Sequence, residues 1–426
     1  MKKILVIGSG GREHAICEAF RKSPQKPEIF ALPGNAGIAE IAKIVDGVRQ
    51  NEHQKIIDFC QHKKIDFVFV GPEQPLSDGI CDDLKQNGIR VFGPSKKASR
   101  LEGSKIFMKK IAMENAVPTA AYETFSNAKS ALEFAKKLGF PCVIKTDGLA
   151  SGKGVIIPQN FDEAKKTITE IFAGKFGDAG KNIIIEEFLE GFEVSYFVIC
   201  DGKNFIPLGF AHDYKRVGEN DSGTNTGGMG TYAPSPFVDK KIEEEIITKI
   251  IRPTLRGLEN IDAPFKGILF AGLMIAKNKP KLLEFNIRFG DPETQVILPR
   301  IKSDFMTLIE AAIDGKLNKF HIEFDEEKKL VCVVMCAKGY PENYEKGSEI
   351  KGLANIKTAK ILHAGTIRKD NKILANGGRV LNIIADGKTF AEARKKAYEA
   401  VDSIDWKEGF VRRDIAKKAD CNLNPL

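Results

Sequence analysis

Two oxygen-bearing side chains, Glu284 and Asn286, lie two residues apart in a segment that is otherwise apolar. Alternate residues of a strand point to the same face, so these two share one face while Leu283, Phe285 and Ile287 face the core. Magnesium prefers oxygen ligands and takes few of them from the protein. We therefore predict that Glu284 and Asn286 hold a metal ion. The alternative is an ordinary solvated strand, because polar faces are common on half-exposed sheets.

Arg288 continues the same face, where a carboxylate would have to lie to reach the terminal phosphate of a bound nucleotide. A guanidinium grips a carboxylate through two parallel N–H bonds. The alternative is a structural ion pair with Asp291 or Glu293. Asp291 and Pro292 are typical of a helix N-cap followed by proline at the first helical position, so we expect a helix to begin there.

A second segment combines glycines with basic residues: Lys145 ends a predicted strand, and Gly148, Gly152 and Gly154 follow with Lys153 between the last two. Backbone N–H groups and positive charge in such a loop could cover a triphosphate. The loop is not a P-loop, since that motif leads into a helix and here a strand follows. A flexible hairpin with surface lysines is the alternative.

Further along, Glu186, Glu187 and Leu189 end another predicted strand, and Glu193 begins the next. Such a segment can offer backbone groups to an adenine edge and a carboxylate to ribose hydroxyls. It therefore favours nucleotide binding by the preceding loop.

Near the N-terminus, Gly8, Gly10, Gly11 and Arg12 lie where a strand meets a helix. Helix N-termini bind anions, so this segment could hold a monophosphate or a sugar phosphate, although a structural turn would also explain the glycines. A dinucleotide fingerprint is disfavoured because Glu13 stands where glycine or alanine is required.

The stretch 212–236 is polar and rich in glycine, and it includes Asp213 and Lys215. Long loops of this kind are either disordered connections or binding loops, and the composition leaves both open.

The elements that must position these residues follow from hydrophobic patterning. Strands are predicted at 2–7, 28–31, 66–70 and 90–92, with helices between them, which indicates an open parallel sheet. Strands at 142–146, 155–158, 182–187 and 193–200 suggest a second, small sheet. A helix at 239–257, paired strands at 267–276 and 280–286, and a strand at 330–336 follow.

The polar stretch 314–327 marks a boundary. We expect three domains: residues 1–102, residues 103–320 with a lid subdomain at about 121–192, and residues 321–426.

The composition is that of a globular enzyme, with 42% hydrophobic and 29% charged residues in 426. The net charge of +8 is scattered, so nucleic-acid binding is not indicated. The first residues lack the apolar length of a signal peptide and no later stretch could cross a bilayer, so we expect a cytoplasmic protein without membrane contact. The eight cysteines form no metal or disulfide pattern, and Cys332 and Cys336 are expected to be buried.

Taken together, the segments resemble the ATP-grasp ligases and, among them, the phosphoribosylamine–glycine ligase family of purine biosynthesis. The similar segments span nearly the whole chain: 8–14, 33–37, 71–73, 101–105, 147–155, 215–230, 284–295, 363–366 and 376–380. The resemblance implies an α/β protein: an ATP-grasp fold with an N-terminal open parallel-sheet domain and a small C-terminal α+β domain that closes the cleft.

The resemblance also assigns roles to residues. ATP is expected to contact Lys105, Lys145, Gly152, Lys153, Gly154, Glu186, Glu187, Leu189 and Glu193. The metal ligands would be Glu284 and Asn286, for Mg²⁺ or Mn²⁺. The other substrates would meet Gly10, Gly11, Arg12, Asn35, Glu73, Asp213, Lys215 and Arg288, and the catalytic residues would be Lys145, Asp213 and Arg288.

In that family ATP and glycine form glycyl phosphate, and the amine of 5-phosphoribosylamine then displaces phosphate. The implied partners are these three small molecules, and a monomer or weak dimer is expected. Two alternatives stay open: a ligase that activates bicarbonate or formate, and a non-catalytic nucleotide sensor. The metal pair argues against the sensor.

Overall fold

The structure of the chain, a computed structural model, describes residues 1–148 and 154–419. The N-terminal part is the open parallel sheet that the strand and helix alternation predicts. Its strands, in the spatial order β3-β2-β1-β4-β5, are β1 (Lys3–Gly8), β2 (Glu28–Pro33), β3 (Lys43–Ile44), β4 (Phe67–Val70) and β5 (Val91–Phe92). All four pairings are parallel. The connecting helices are α1 (Gly11–Arg21), α2 (His53–Lys63), α3 (Glu73–Asp78) and α4 (Ile80–Gln86).

Two helices lead out of this sheet, α5 (Lys96–Gly103) and α6 (Lys105–Glu114). Serines start both: the Ser95 hydroxyl accepts a hydrogen bond from the N–H of Ala98, and that of Ser104 from the N–H of Phe107. Such N-caps satisfy N–H groups that the first helical turn leaves unpaired.

A four-stranded sheet follows, in the order β6-β9-β7-β8. Its elements are β6 (Tyr122–Phe125), α7 (Ala128–Leu138), β7 (Cys142–Thr146), β8 (Val155–Ile156), α8 (Phe161–Glu170) and β9 (Ile183–Glu187). The sequence analysis missed β6, whose side chains are half-buried or exposed and carry little apolar pattern. It also placed the strand near 193–200 in this sheet, which is wrong.

That strand, β10 (Phe192–Asp201), belongs to a large antiparallel sheet. The remaining strands are β11 (Phe205–Asp213), β12 (Arg216–Gly218), β13 (Ser222–Asn225), β14 (Gly230–Ala233), β15 (Lys266–Ala276), β16 (Lys279–Asn286), β17 (Lys329–Ala337), β18 (Glu349–Ile350), β19 (Lys360–His363), β20 (Thr366–Lys369), β21 (Lys372–Ala375), β22 (Arg379–Gly387) and β23 (Gly409–Phe410).

The large sheet has nine strands in the order β16-β15-β10-β11-β14-β17-β22-β19, with β23 paired to β17. It therefore continues across the predicted domain boundary, because β14 pairs with β17. Strands β12 and β13 form a separate hairpin, so the stretch 212–236 is ordered in the structure. Strands β18, β21 and β20 form a small sheet of their own.

Helices pack on this sheet: α9 (Lys240–Ile246), α10 (Arg252–Asn260), α11 (Thr294–Ile297), α12 (Phe305–Ile313) and α13 (Phe390–Asp402). A π-helical turn, Ile247–Ile251, joins α9 to α10, so the predicted long helix is confirmed and reaches Asn260. Cys332 and Cys336 are buried, as predicted. Among the described residues, no helix combines the length and apolar character needed to cross a bilayer.

The prediction that Asp291 caps a helix is wrong. The bond between Asp291 and Pro292 is cis, and α11 begins only at Thr294. The Asp291 carboxylate instead accepts hydrogen bonds from the Gln295 side chain at 2.8 Å and from the Arg12 N–H at 3.3 Å. It joins the segment after β16 to the start of α1.

Candidate active site

A cavity of about 1000 Å³ opens where the parallel sheet, the four-stranded sheet and the large sheet meet. Of the predicted site residues that the structure describes, all but Gly11 and Asn35 line it. Gly152 and Lys153 lie outside the described residues. Residues from widely separated stretches of the chain are thus brought to one place, as the motifs suggested.

The predicted metal pair lies at the end of β16. The side chain of Glu284 makes no hydrogen bond or ion pair with any residue in the described ranges. Its carboxylate oxygens are therefore available to a ligand. Although burial opposes ionisation, Lys215, Lys145 and Lys105 hold the pKa of Glu284 below its ordinary value. Asn286 is buried, and its Oδ1 accepts a hydrogen bond from Arg288 Nη2 at 3.1 Å.

These oxygen donors fit a hard divalent cation. Across the described part of the chain, no cluster of three or more histidine, cysteine or acidic side chains could hold a metal ion by itself. A cation at Glu284 and Asn286 would therefore depend on phosphate oxygens and water for its other ligands.

The expected alternation along β16 fails at Leu283. Gly272 pairs with Glu284 but Leu273 pairs with Leu282, so Leu283 is an extra residue in a bulge. It lines the cavity instead of the core, and its carbonyl accepts a hydrogen bond from Lys145 Nζ at 3.2 Å. Phe285 and Ile287 are buried in the core, as predicted.

The residues predicted to contact ATP form a layer of alternating charge beside this strand. Lys145 Nζ lies 3.1 Å from Glu186 Oε2, and Lys215 Nζ lies 3.1 Å from Glu193 Oε2. Lys105 Nζ donates to the carbonyl of Gly148 at 3.2 Å. Positive charge therefore lines the cavity close to Glu284, where a triphosphate and its metal would need it.

Glu187 lies at the rim of this layer. Its Oε1 accepts hydrogen bonds from the backbone N–H of Ala121 at 3.1 Å and from Lys281 Nζ at 3.0 Å. These two bonds lower the pKa of Glu187, the backbone bond more than the lysine. The carboxylate therefore already ties β9 to its neighbours.

Arg288 has other partners than those expected from the sequence. Its Nη2 donates to Glu102 Oε1 at 3.0 Å, and its Nε donates to Glu73 Oε2 at 3.3 Å. With the further bonds to the Asn286 side chain and the Phe289 carbonyl, one Nη1–H is left without a partner among the described residues. Arg288 thus forms ion pairs, as the alternative interpretation held, but with Glu73 and Glu102 and not with Asp291 or Glu293.

Asp213 lies at the end of β11 with one oxygen, Oδ1, buried and without a hydrogen bond to any described residue. Burial raises the pKa of its carboxyl well above the ordinary value, and the neighbouring Glu293 raises it further, against the opposing charges of Lys215 and Arg379. A cation beside this carboxylate would complete its hydrogen bonds and restore its charge.

The N-terminal glycine loop is held by carboxylates. Gly10 N–H donates to Glu13 Oε2 at 2.7 Å, and Arg12 N–H donates to Asp291. An anion at this helix N-terminus would have to displace one of them. Arg12 itself is buried, and its Nη1 donates to the Phe289 carbonyl at 3.1 Å.

Two of the predicted substrate contacts do not line the cavity. Gly11 lies away from the cavity, and a Cβ there would come within 2.2 Å of Asn382 Nδ2, so glycine serves close packing. Asn35 also lies outside the cavity. Its amide donates to the carbonyls of Ser9 and His363, both at 2.8 Å, while its Oδ1 accepts from the backbone of two following residues. All four of its hydrogen-bonding positions are used for the fold.

Sequence reasoning missed three residues that shape the site. Arg379 lines the cavity and donates to the carbonyls of Gly227 and Asp291, and the Gly-Gly-Arg motif around it was a signal. Glu102 and Lys109 are buried charges, whereas the sequence gives both the appearance of ordinary helix-surface residues.

Comparisons with known proteins agree with this geometry. Models of the phosphoribosylglycinamide synthetase family match the N domain at residues 2–102, the ATP-grasp (A) domain at 103–294 and the C domain at 330–418. The phosphoribosylamine–glycine ligase of Brucella melitensis is 48% identical over 420 residues, 98% of each chain. That of Mesorhizobium japonicum is 49% identical over 418 residues, again 98% of each.

Solved structures are similar as well. The phosphoribosylamine–glycine ligase of Thermotoga maritima superposes with a TM-score of 0.84 at 35% identity, covering 97% of this chain and 99% of that one. A biotin carboxylase domain of Hydrogenobacter thermophilus 2-oxoglutarate carboxylase has a TM-score of 0.73 at 16% identity, covering 96% and 91%. The second likeness shows a shared fold only.

Proposed function

Because this chain belongs to the phosphoribosylglycinamide synthetase family, we propose that it joins glycine to 5-phosphoribosylamine while ATP becomes ADP and phosphate. The product is glycinamide ribonucleotide, an intermediate of purine biosynthesis. One observation carries the proposal: the Glu284 carboxylate has no side-chain partner among the described residues, is held ionised by three lysines, and lies in a cavity that family motifs line from several parts of the chain.

ATP occupies the layer between the four-stranded sheet and β16. Lys105 and Lys145 lie beside the phosphates, where their charge offsets the charge that builds on the transferring phosphoryl group. The segment from Glu186 to Leu189 lines the same cavity and serves the adenine and ribose. Glu186 is buried, whereas Glu187 and Glu193 are more exposed, so one of these two contacts the ribose.

Glu284 and Asn286 hold the divalent cation, which their oxygen donors fit, with magnesium as the proposed ion and manganese as the alternative. When bound, the ion would polarise the nucleotide phosphates and offset their charge. Glu284 supplies the protein charge for it, and Arg288 orients the Asn286 amide through the bond to Oδ1.

Glycine lies between Asp213 and Arg288. Its ammonium group gives Asp213 Oδ1 the partner that the protein does not supply, and the positive charge keeps that carboxyl ionised. Its carboxylate meets the remaining Nη1–H of Arg288, while Glu73 and Glu102 hold the guanidinium in place. The carboxylate then lies next to the metal pair and the terminal phosphate.

The reaction has two steps. A carboxylate oxygen of glycine attacks the γ-phosphorus, the bond to the β-phosphate oxygen breaks, and ADP leaves. The amine of phosphoribosylamine then attacks the carbonyl carbon of glycyl phosphate, loses a proton, and phosphate departs with the oxygen that came from glycine. Water must be kept from the acyl phosphate. Lys145 and Arg288 need only hold and offset charge, so no protein nucleophile is required.

We also propose the three domains at residues 1–102, 103–320 and 321–426, with small molecules as the only obligatory partners, a monomer or weak dimer in solution, and the cytoplasm as its compartment. The reaction is tested by ADP release with glycine and phosphoribosylamine supplied separately and together. The proposal requires both for sustained release. Release that responds to bicarbonate or formate, or nucleotide binding with no turnover for any amine, would overturn it.

A further inference from the structure

A buried lysine lies behind the wall of the cavity. Lys109, in α6, is 0% exposed and is not among the residues that line the site. Its Nζ lies 3.2 Å from Glu186 Oε1, donates to Thr119 Oγ1 at 2.8 Å, and lies 5.1 Å from the centre of the Tyr122 ring. A fully buried ammonium is costly, so its place in a site wall requires a reason.

The carboxylate of Glu186 is shared between two lysines. Oε1 faces Lys109, and Oε2 faces Lys145 at 3.1 Å. Glu186 is itself only 2% exposed. A pair of Lys145 and Glu186 alone would be neutral and complete, whereas the trio carries one net positive charge. Because little water shields this net charge, it attracts an anion in the cavity strongly, and the anion offsets it.

The same lysine is connected to the metal strand. Thr119 Oγ1, which accepts from Lys109, donates to the carbonyl of Leu282 at 2.7 Å. Lys145 Nζ donates to the next carbonyl, that of Leu283. The two lysines therefore fix, directly or through Thr119, the two carbonyls just before Glu284.

We propose that Lys109 is a positioning residue for ATP: by holding one oxygen of Glu186, it leaves Lys145 only partly neutralised and directed towards the nucleotide phosphates. The inference deepens the proposed function and rests on the ATP site assigned there. Without Lys109, Glu186 would bind Lys145 alone and draw its ammonium from the phosphates.

The test is Lys109→Met, which keeps the length of the side chain and removes its charge. The KM for ATP should rise about tenfold, the lower end of the range for a hydrogen bond to a charged group. The KM for glycine should stay within about twofold, because Asp213 and Arg288 are unaffected. The matched control is Lys110→Met, since Lys110 is the next residue, is exposed and pairs only loosely with Glu114 at 3.8 Å; both KM values should stay unchanged.

A double-mutant cycle shows whether the effect passes through Glu186. In a Glu186→Gln background, adding Lys109→Met should change the KM for ATP by less than about twofold, because the carboxylate that mediates the effect is gone. If Lys109→Met does not fold, Lys109→Gln replaces it, since that side chain keeps a donor for Thr119 but lacks the charge. The same rise in the KM for ATP is expected.

Equal rises in both KM values, or full additivity in the cycle, would overturn the inference and make Lys109 a structural residue. The dissociation constant of a non-hydrolysable ATP analogue, measured by calorimetry, distinguishes failure of the inference about Lys109 from failure of the proposed function. If the wild-type protein makes no amide but the Lys109→Met variant binds the analogue more weakly, the proposed reaction is refuted and the role of Lys109 is supported. An unchanged analogue affinity would refute that role.

Discussion

Glu284 is the residue on which the proposed chemistry depends most. Glu284→Gln keeps the shape of the side chain and removes the charge that the protein offers to the cation. We expect kcat/KM to fall at least about a hundredfold, the scale seen when a group that stabilises transition-state charge is lost. Excess magnesium should not restore full activity.

A steady-state assay across magnesium concentrations checks this prediction. Glu123→Gln serves as the control, because Glu123 is an exposed carboxylate on β6, far from the metal strand in sequence. Near-normal turnover of Glu284→Gln at an ordinary magnesium concentration would show that Glu284 is not a metal ligand.

Arg288 gives a second prediction at this scale. Arg288→Lys keeps the positive charge beside Glu102 but loses the planar set of donors that serves two carboxylates and Asn286 at once. The KM for glycine should rise by a factor that corresponds to about 1.5–3 kcal/mol, the range for hydrogen bonds to charged groups. The KM for ATP should rise less.

Varying each substrate in turn decides the matter. Arg90→Lys is the control, since Arg90 is a half-exposed arginine paired with Asp314 outside the cavity. Equal changes in both KM values would mean that Arg288 only holds the N-terminal sheet to β16.

The site residues that could be predicted from the sequence are those marked by a local pattern. Glu284 and Lys145 lie near the ends of predicted strands, and residues at strand ends converge on ligand sites in such folds. Asp213 was instead predicted within a polar, glycine-rich stretch. Leu283 could not be placed, because a bulge is set by pairing with a distant strand. The hydrogen bonds of the Asn35 side chain could not be predicted either, because they reach a residue 328 positions away.

At the scale of elements, the β12–β13 hairpin covers one side of the cavity and is anchored by Arg412. This arginine is fully buried, and it donates to the Arg216 carbonyl and to Asp414, each at 2.8 Å, and to Asp221. Arg412→Met should release the hairpin at a cost of about 1.5–3 kcal/mol.

Hydrogen–deuterium exchange checks this expectation: amides in 216–225 should exchange faster in the variant while the parallel sheet is unchanged. Arg413→Met is a matched control, because the neighbouring arginine is half-exposed and pairs with Asp402. Equal exchange in wild type and Arg412→Met would show that other contacts hold the hairpin.

The packing of α1 against β19 predicts a dependence of stability on pH. His14 and His363 are buried there, and His14 Nδ1 accepts a hydrogen bond from the His363 N–H at 2.9 Å. Burial is the main reason that the pKa of His14 is lowered to about 3 and that of His363 to about 4. Both rings are therefore neutral in the folded protein at pH 5.

An unfolded histidine takes up a proton near pH 6.5, so below that pH the unfolded state binds more protons and stability falls. Each ring contributes up to about 1.4 kcal/mol per pH unit below 6.5. The thermal midpoint should drop between pH 6.5 and 5, and less steeply in His14→Gln. The exposed His62→Gln should follow the wild type. An identical slope in His14→Gln would contradict this account.

Element types were predictable where the pattern was strong, as in the buried strand β1 and the long helix predicted at 239–257. The sheet to which β10 belongs was not, because the partners of a strand are set by long-range pairing: β10 pairs with β15, more than 60 residues later. The start of α11 was also mispredicted, because the Asp291 carboxylate binds the Gln295 side chain and the N–H of Arg12, which is distant in sequence.

At the scale of the whole molecule, the nine-stranded sheet joins the ATP-grasp part to the C-terminal part. Strand β14 pairs with β11 on one side and with β17 on the other, so the predicted boundary at 314–327 separates stretches of sequence that share one sheet. A polar connection can be recognised from the local sequence. The pairing of residues 230–233 with residues 330–333 cannot be predicted in that way, because the two strands are far apart in the chain. The cavity depends on that pairing, because it places Arg379 beside the end of β16.

The central claim is that ATP activates the carboxylate of glycine, and the fate of one oxygen atom tests it most directly. With glycine labelled by ¹⁸O in its carboxylate, together with ATP and phosphoribosylamine, the phosphate released should carry one labelled oxygen for each amide formed, as mass spectrometry can measure. Glu284→Gln should slow amide formation and label transfer together, at least about a hundredfold. Phosphate that carries only oxygen from ATP and water would contradict the account.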